Sequence, residues 1–117
     1  MIRAVAVAGV LAVAALSGCG SGTADIETVP TLAGGPSGEQ ARKGRALFAD
    51  HCASCHTLAD ADAHGSAGPN LDDLGPDAVR VARKVQAGGG GMPSFSGQLS
   101  RPEILALAGY VDAVTGR

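Results

Sequence analysis

Hydrophobic positions recur at helical spacing in three segments of the chain after residue 36. In residues 38–50, Ala41, Gly44 and Phe48 lie three to four positions apart and share one face of a helix. Residues 76–88 and 101–114 carry longer stripes with the same period. The stripe positions are Ala78, Val81, Ala82 and Val85 in the first of these, and Ile104, Leu107, Ala108 and Val111 in the second. The pattern predicts three helices, each with one buried face.

Two of these helices begin with the same capping pattern. Ser37 and Gln40 stand three positions apart at the start of the first helix, and Ser100 and Glu103 do the same at the start of the last. In such a capping box the serine hydroxyl accepts from a backbone N–H, and the longer side chain reaches back to the serine N–H. The two helices are therefore predicted to run over residues 38–50 and 101–114.

Proline and glycine mark further boundaries. Pro76 is predicted as the first residue of the middle helix, and Gly88 as its end. Gly44 lies inside the first helix, where glycine costs about 1 kcal/mol relative to alanine. Close approach of a second helix would explain a glycine at that position.

The beginning of the chain has a different pattern. Arg3 is followed by an unbroken apolar run over residues 4–16, which would span only about 20 Å as a helix. A hydrocarbon core is about 30 Å thick, so the run is typical of a signal peptide and not of a membrane span. Residues 1–18 are predicted to be this signal peptide.

Cys19 stands where the apolar run ends. The sequence Leu16-Ser17-Gly18-Cys19 resembles a bacterial lipobox, in which the cysteine receives a lipid and becomes the first residue of the mature chain. The alternative is an ordinary secretory signal followed by a chance cysteine. We favour lipidation of Cys19, which predicts an extracytoplasmic protein held at a bacterial membrane. Residues 19–36, rich in Gly, Ser, Thr and Pro, are then a flexible linker.

Composition limits what the remaining chain can be. The protein has 117 residues, which leaves room for one small domain beyond the tail. Its aromatic residues amount to only 3% of the chain, so the domain needs a staple or a cofactor to complete its core. The formal charge of −2 is too small to indicate nucleic acid as a partner.

The segment Cys52-Ala53-Ser54-Cys55-His56 has the form of a c-type haem attachment site. The two thiols would form thioether links with haem, and His56 would be the proximal iron ligand. Three alternatives compete with this interpretation. They are a zinc site completed by His64, a thioredoxin-like pair, which needs a βαβ setting, and a structural disulfide in an exported protein.

Residues 37–117 resemble a class I monohaem cytochrome c. The resemblance depends on the C-x-x-C-H segment, on Gly-Pro-x-Leu at 68–71, on Met-Pro-x-Phe at 92–95, and on the first and last helices. It implies a small all-α cytochrome c fold, with three to five helices around one covalently bound haem. The terminal helices would cross, with Gly44 and Phe48 packed against Leu107 and Tyr110.

The resemblance also implies roles for two loop residues. Met92, the only methionine besides the initiator, follows four glycines and precedes Pro93, and it would be the sixth iron ligand. The carbonyl of Pro69 would accept a hydrogen bond from the ring of His56. A simple turn is the alternative role for the Gly-Pro-Asn segment.

With His56 and Met92 both ligating, the iron has no open position for substrate, which argues against oxygenase, peroxidase or gas-carrier chemistry. We therefore expect an electron carrier, not an enzyme. Its partners would be redox proteins such as an oxidase, a cytochrome complex or a dehydrogenase. A haem enzyme or gas sensor with a labile Met92 is the main alternative, and a haem-free lipoprotein with a Cys52–Cys55 disulfide is another.

Several other residues are expected to face solvent. The stretch after His56 is predicted to be a loop that contains an exposed His64, and His51 is predicted to face outward. Arg80, Arg83 and Lys84 lie on the outer side of the middle helix. They would guide a partner or form an ordinary solvated face.

Overall fold

Four α-helices form the part of the chain that the computed structural model describes, residues 37–116. They are α1 (Gly38–His51), α2 (Leu71–Leu74), α3 (Ala78–Ala87) and α4 (Arg101–Thr115). Two short strands, β1 (Thr57–Leu58) and β2 (Ala63–His64), lie between α1 and α2, with a 3₁₀ turn at Ala59–Ala61. The predicted all-α fold class is confirmed.

Both predicted capping boxes are present. The Ser37 hydroxyl accepts from the Gln40 N–H at 3.3 Å, and the Ser37 N–H donates to Gln40 Oε1 at 3.4 Å. At α4 the Glu103 N–H donates to Ser100 Oγ at 3.3 Å, and the Ser100 N–H donates to Glu103 Oε2 at 2.8 Å. These hydrogen bonds, that from the Ser100 backbone foremost, lower the pKa of the Glu103 carboxyl.

The first and last helices cross at Gly44, as the resemblance implied. A Cβ added at Gly44 would lie 2.5 Å from Tyr110 Cβ and would also collide with the carbonyl oxygen of Ala106. One turn further along α1, the Phe48 ring meets the Tyr110 ring edge-on, with centroids 6.4 Å apart. The mid-helix glycine therefore provides the space in which α4 packs directly on the α1 backbone.

The start of α3 differs from the prediction. Asp77, and not Pro76, precedes the first helical residue, and its side chain accepts from the Arg80 N–H at 2.8 Å. A carboxylate can satisfy one of the N–H groups that a helix leaves unpaired at its start, whereas a proline ring offers no acceptor. The prediction that Pro76 is the first helical residue was wrong. Gly88 ends α3 as predicted, with φ of 68°.

The stretch after His56 is more ordered than the predicted loop. Strands β1 and β2 pair antiparallel, with Thr57 opposite His64 and Leu58 opposite Ala63. Leu58 and Ala63 are buried, whereas His64 is exposed, as predicted, and bonds to Asp62. Strands of two residues are too short to show an alternating pattern, so no local pattern indicated them.

The core lies between α1, α3 and α4. The whole predicted stripe of α4 is buried, while in α3 Ala82 and Val85 are buried and Ala78 and Val81 are half-buried. Of the described residues, the largest that are fully buried are Phe48, Leu58, Leu107 and Val111. Within residues 37–116, none of the helices combines the length and apolar character that crossing a membrane requires.

Candidate cofactor site

A cavity of about 1620 Å³ opens beside the C-x-x-C-H segment. Pockets for small molecules usually measure roughly 300–1,000 Å³, so this cavity suits a large cofactor. Five predicted site residues line it, namely Cys52, Cys55, His56, Pro69 and Met92. Much of the remaining wall is apolar, with contributions from Phe48, Leu71, Val81, Val85, Phe95 and Leu107.

The two cysteines occupy a tight turn that directly follows α1. Cys52 is the C-cap of α1, and its carbonyl accepts from the N–H groups of Cys55 at 3.0 Å and His56 at 2.9 Å. Both cysteines are free thiols; Cys52 is buried and Cys55 is exposed. Burial and, second, the nearby Cys55 raise the pKa of the Cys52 thiol to about 11.

The imidazole of His56 is oriented by a backbone carbonyl. Its Nδ1 lies 2.8 Å from the carbonyl oxygen of Pro69. Because a carbonyl can only accept, Nδ1 carries the proton in this hydrogen bond, and Nε2 keeps its lone pair. This is the tautomer that a histidine needs in order to ligate a metal through Nε2, with its other nitrogen fixed from behind.

Two glycines to which the sequence analysis gave no packing role, Gly65 and Gly68, lie against this segment. A Cβ at Gly68 would lie 2.5 Å from Cε1 and 2.9 Å from Nδ1 of His56. A Cβ at Gly65 would lie 2.6 Å from backbone atoms of Cys55 and His56. The Gly68 N–H also donates to the Cys55 carbonyl at 2.7 Å. The sequence showed only that Gly68 precedes Pro69; its contact with the imidazole depends on the tertiary fold.

Met92 ends a tight turn and lines the cavity. The N–H of Gly89 donates to the Met92 carbonyl at 2.8 Å, and the N–H of Met92 donates back at 3.2 Å. The two residues between them, Gly90 and Gly91, have φ of 65° and 89°. Positive φ at both central residues is typical of a type I′ turn, which glycine adopts without strain. The glycines thus set the geometry of the turn that carries a half-buried Met92.

His51 does not face outward as predicted. It is half-buried, it lines the cavity, and its ring meets the Phe95 ring edge-on with centroids 5.7 Å apart. His51 lies three positions after Phe48 on α1, so the two side chains share the face that is turned toward the cavity. The charged residues Arg80, Arg83 and Lys84 are exposed, as predicted, and belong to the rim of the same cavity.

A polar network outside the cavity was also missed by sequence reasoning. The Tyr110 hydroxyl donates to Asp60 Oδ2 at 2.5 Å, and Arg45 Nε donates to the Asp60 carbonyl at 3.2 Å. Burial of the phenol and, second, its bond to Asp60 raise the pKa of Tyr110. The network joins α1, α4 and the 3₁₀ turn across 50 positions of sequence, and no local pattern indicates it.

The zinc site and the lipid site are the two other sites that the sequence analysis considered. Within residues 37–116, no three His, Cys, Asp or Glu side chains lie close enough to hold a metal ion together. The predicted lipid site Cys19 lies outside the described residues, together with the predicted signal peptide and linker at 1–18 and 19–36.

Comparison with known proteins identifies relatives along the helical part of the chain. The family model described as cytochrome c oxidase, cbb3-type, subunit III matches residues 39–111. The cbb3-type oxidase subunit CcoP of Rhodobacter capsulatus is 36% identical over 107 residues, which cover 78% of this chain and 35% of that protein. The chain therefore spans about a third of the length of this curated relative.

Two shorter relatives match over nearly their whole length. Cytochrome c6 of Microcystis aeruginosa is 36% identical over 72 residues, which cover 58% of this chain and 89% of that protein. The crystal structure of the c-type cytochrome SorU from Sinorhizobium meliloti superimposes with a TM-score of 0.63 at 47% identity. That superposition covers 68% of this chain and 94% of SorU.

The fold, the cavity and these likenesses define a small haem protein of the c-type cytochrome class. The chain belongs to the cytochrome c family, in the branch described as cbb3-type cytochrome c oxidase subunit III. Its cofactor is covalently bound haem c. The residues present fit that group, since the cavity is large and two free thiols stand beside a histidine whose Nε2 keeps its lone pair.

Proposed function

We propose that the protein is a one-electron carrier in which a single haem c is held by Cys52, Cys55, His56 and Met92. The thiols of Cys52 and Cys55 would form the thioether links, and His56 and Met92 would be the axial ligands. The observation that carries this proposal is the hydrogen bond of 2.8 Å between His56 Nδ1 and the Pro69 carbonyl. It leaves Nε2 free to ligate, in a cavity that Met92 also lines.

Each residue has a separate task in this arrangement. Haem c, when bound, supplies the reversible one-electron chemistry of its iron. The Pro69 carbonyl fixes the imidazole of His56 and makes it a stronger donor. Gly68 leaves space for that ring, and apolar side chains such as Phe48 and Leu107 exclude water from the cavity. A site held in one geometry and kept dry favours electron transfer, because little has to rearrange when the charge changes.

Iron ligation by both His56 and Met92 would favour electron transfer over catalysis. A substrate or gas would have to displace Met92 before it reached the metal. Met92 is attached to a tight turn whose two reciprocal backbone hydrogen bonds measure 2.8 and 3.2 Å. This restraint supports a stable ligand, and therefore a carrier in preference to a haem enzyme or gas sensor.

The relatives support a class of partner, and the N-terminal sequence supports a location. The relatives include subunits of cbb3-type oxidases, which supports a redox protein such as an oxidase, a cytochrome complex or a dehydrogenase as partner. The apolar run over residues 4–16 and the lipobox-like sequence that ends at Cys19 support an extracytoplasmic protein with a lipid anchor.

Covalent attachment is tested by acid–organic extraction of the denatured protein. Haem should stay with the polypeptide of the wild type and of Cys19→Ser, because neither loses a proposed thioether position. The double variant Cys52→Ser/Cys55→Ser should yield little holoprotein, since much of the core is the cofactor. Extraction of all wild-type haem into the organic layer would overturn the proposal.

The ligand role of Met92 is tested by Met92→His. A thioether raises the reduction potential relative to bis-histidine ligation, so the variant should remain six-coordinate and have a lower potential. An unchanged reduction potential in Met92→His would contradict ligation of the iron by Met92.

A further inference from the structure

Two of the last four carbonyls of α3 are satisfied by the segment that follows Met92. The last four carbonyls of a helix have no partner inside the helix. In α3 the Lys84 carbonyl accepts from the Gly88 N–H at 2.7 Å, and the Val85 carbonyl accepts from the Phe95 N–H at 2.8 Å. The Gln86 carbonyl accepts from the Ser94 hydroxyl at 2.5 Å. The chain that returns from Met92 therefore caps the helix that precedes it.

The Ser94 hydroxyl belongs to a short chain of hydrogen bonds. It has one proton, which it donates to the Gln86 carbonyl. The Ser96 hydroxyl, 3.0 Å away, is then the donor to Ser94 Oγ, and the Ser96 N–H points to the same oxygen at 3.4 Å. These contacts fix the rotamer of Ser94 and hold it against the end of α3.

The chain is restrained both before and after Met92. On the N-terminal side it shares two backbone hydrogen bonds with Gly89. On the C-terminal side only Pro93 separates it from Ser94, and the proline ring fixes φ at that position. A displacement of Met92 into solvent therefore pulls on the bond between Ser94 and Gln86. The strength of that bond adds to the resistance of the loop to opening.

We propose that Ser94 is a positioning residue for Met92, and that its hydroxyl sets how often the methionine leaves the iron. This inference rests on the proposed ligation by Met92. Removal of the hydroxyl should raise the open population about 2- to 12-fold, which corresponds to a net hydrogen bond of about 0.5–1.5 kcal/mol at 1.4 kcal/mol per tenfold change.

The test compares three holoprotein variants with the wild type. Ser94→Ala removes the hydroxyl, and Ser94→Thr keeps it. Thr115→Val is the matched control, because Thr115 Oγ1 also donates to a helix carbonyl, that of Val111, at 2.8 Å. Two quantities are measured: the rate at which the reduced protein takes up carbon monoxide, and the far-red sulfur–iron charge-transfer band of the ferric protein.

Ser94→Ala should take up carbon monoxide about 2- to 12-fold faster than the wild type, while its far-red band stays close to that of the wild type because the closed form still dominates. Ser94→Thr should restore the uptake rate, and Thr115→Val should leave it unchanged even if it lowers stability. An uptake rate in Ser94→Ala equal to that of the wild type would overturn the inference, and the retained far-red band would leave Met92 as a ligand. Absence of the band from the wild type itself would overturn both the ligation and the inference.

Discussion

Replacement of Gly44 by alanine tests the contact between the terminal helices. The change removes the helix penalty of glycine, a gain of about 1 kcal/mol. The added Cβ would, however, lie 2.5 Å from Tyr110 Cβ and collide with the Ala106 carbonyl oxygen. Overpacking typically costs about 1–3 kcal/mol. Because the collision involves the backbone of α4, the overpacking cost should lie near the upper end of this range. After the gain in helix propensity is subtracted, the expected net loss in the free energy of unfolding is about 2 kcal/mol.

The loss is measured by guanidinium unfolding of the ferric holoprotein, followed by far-UV circular dichroism. The midpoint should fall while the slope stays constant, and the melting temperature should drop by roughly 8–16 °C for a domain of this size. Gly38→Ala is the matched control, because a Cβ at this position at the start of α1 meets nothing within 4 Å and Gly38 does not line the cavity. It should leave stability unchanged or raise it by up to about 1 kcal/mol. A Gly44→Ala midpoint at or above that of the wild type would refute the tight crossing.

Three further predictions concern other parts of the molecule. Gly68→Ala places a Cβ 2.5 Å from Cε1 of His56, so it should weaken the bond from the His56 imidazole to the iron and raise the reduction potential measured in a redox titration. Gly97→Ala is the control, because its Cβ meets nothing within 4 Å, and it should leave the reduction potential unchanged. Tyr110→Phe should remove a loss of stability that the wild type shows above about pH 10. The raised pKa of Tyr110 means that the unfolded chain releases the phenol proton at lower pH than the folded chain, so stability falls as pH rises. An equal change in the stability of the wild type and of Tyr110→Phe between pH 8 and pH 11 would contradict this prediction. Cys19→Ser should abolish lipid attachment, which intact-mass measurement of the mature protein detects; a wild-type chain with a free Cys19 thiol would refute the anchor.

The helices could be predicted because their signals are local. Ser37 with Gln40, and Ser100 with Glu103, each lie within one helical turn, and both capping boxes formed as expected. The crossing at Gly44 was predicted because an interior glycine is costly without a close neighbour. Such features depend on residues three or four positions apart, which a single sequence displays directly.

The remaining features depend on contacts that a single sequence does not display. Asp60 meets Tyr110 across 50 positions, and nothing beside either residue indicates the pairing. The clash that excludes a side chain at Gly68 arises from the ring of His56, twelve positions earlier. Pro76 was assigned to the wrong helix position because Asp77, its neighbour, is the better cap. In the candidate site the sequence predicted the residues that we propose hold the cofactor, while the residues packed around them emerged from the tertiary structure.

In the proposed electron carrier, Met92 closes the iron to external ligands. The most direct measurement is the optical spectrum of the purified, reduced wild-type protein after exposure to carbon monoxide near neutral pH. We expect the wild-type spectrum to change little over the time in which Met92→Ala converts fully to the carbon monoxide complex. Conversion of the wild type as rapid as that of Met92→Ala would contradict the claim and favour a haem enzyme or gas sensor.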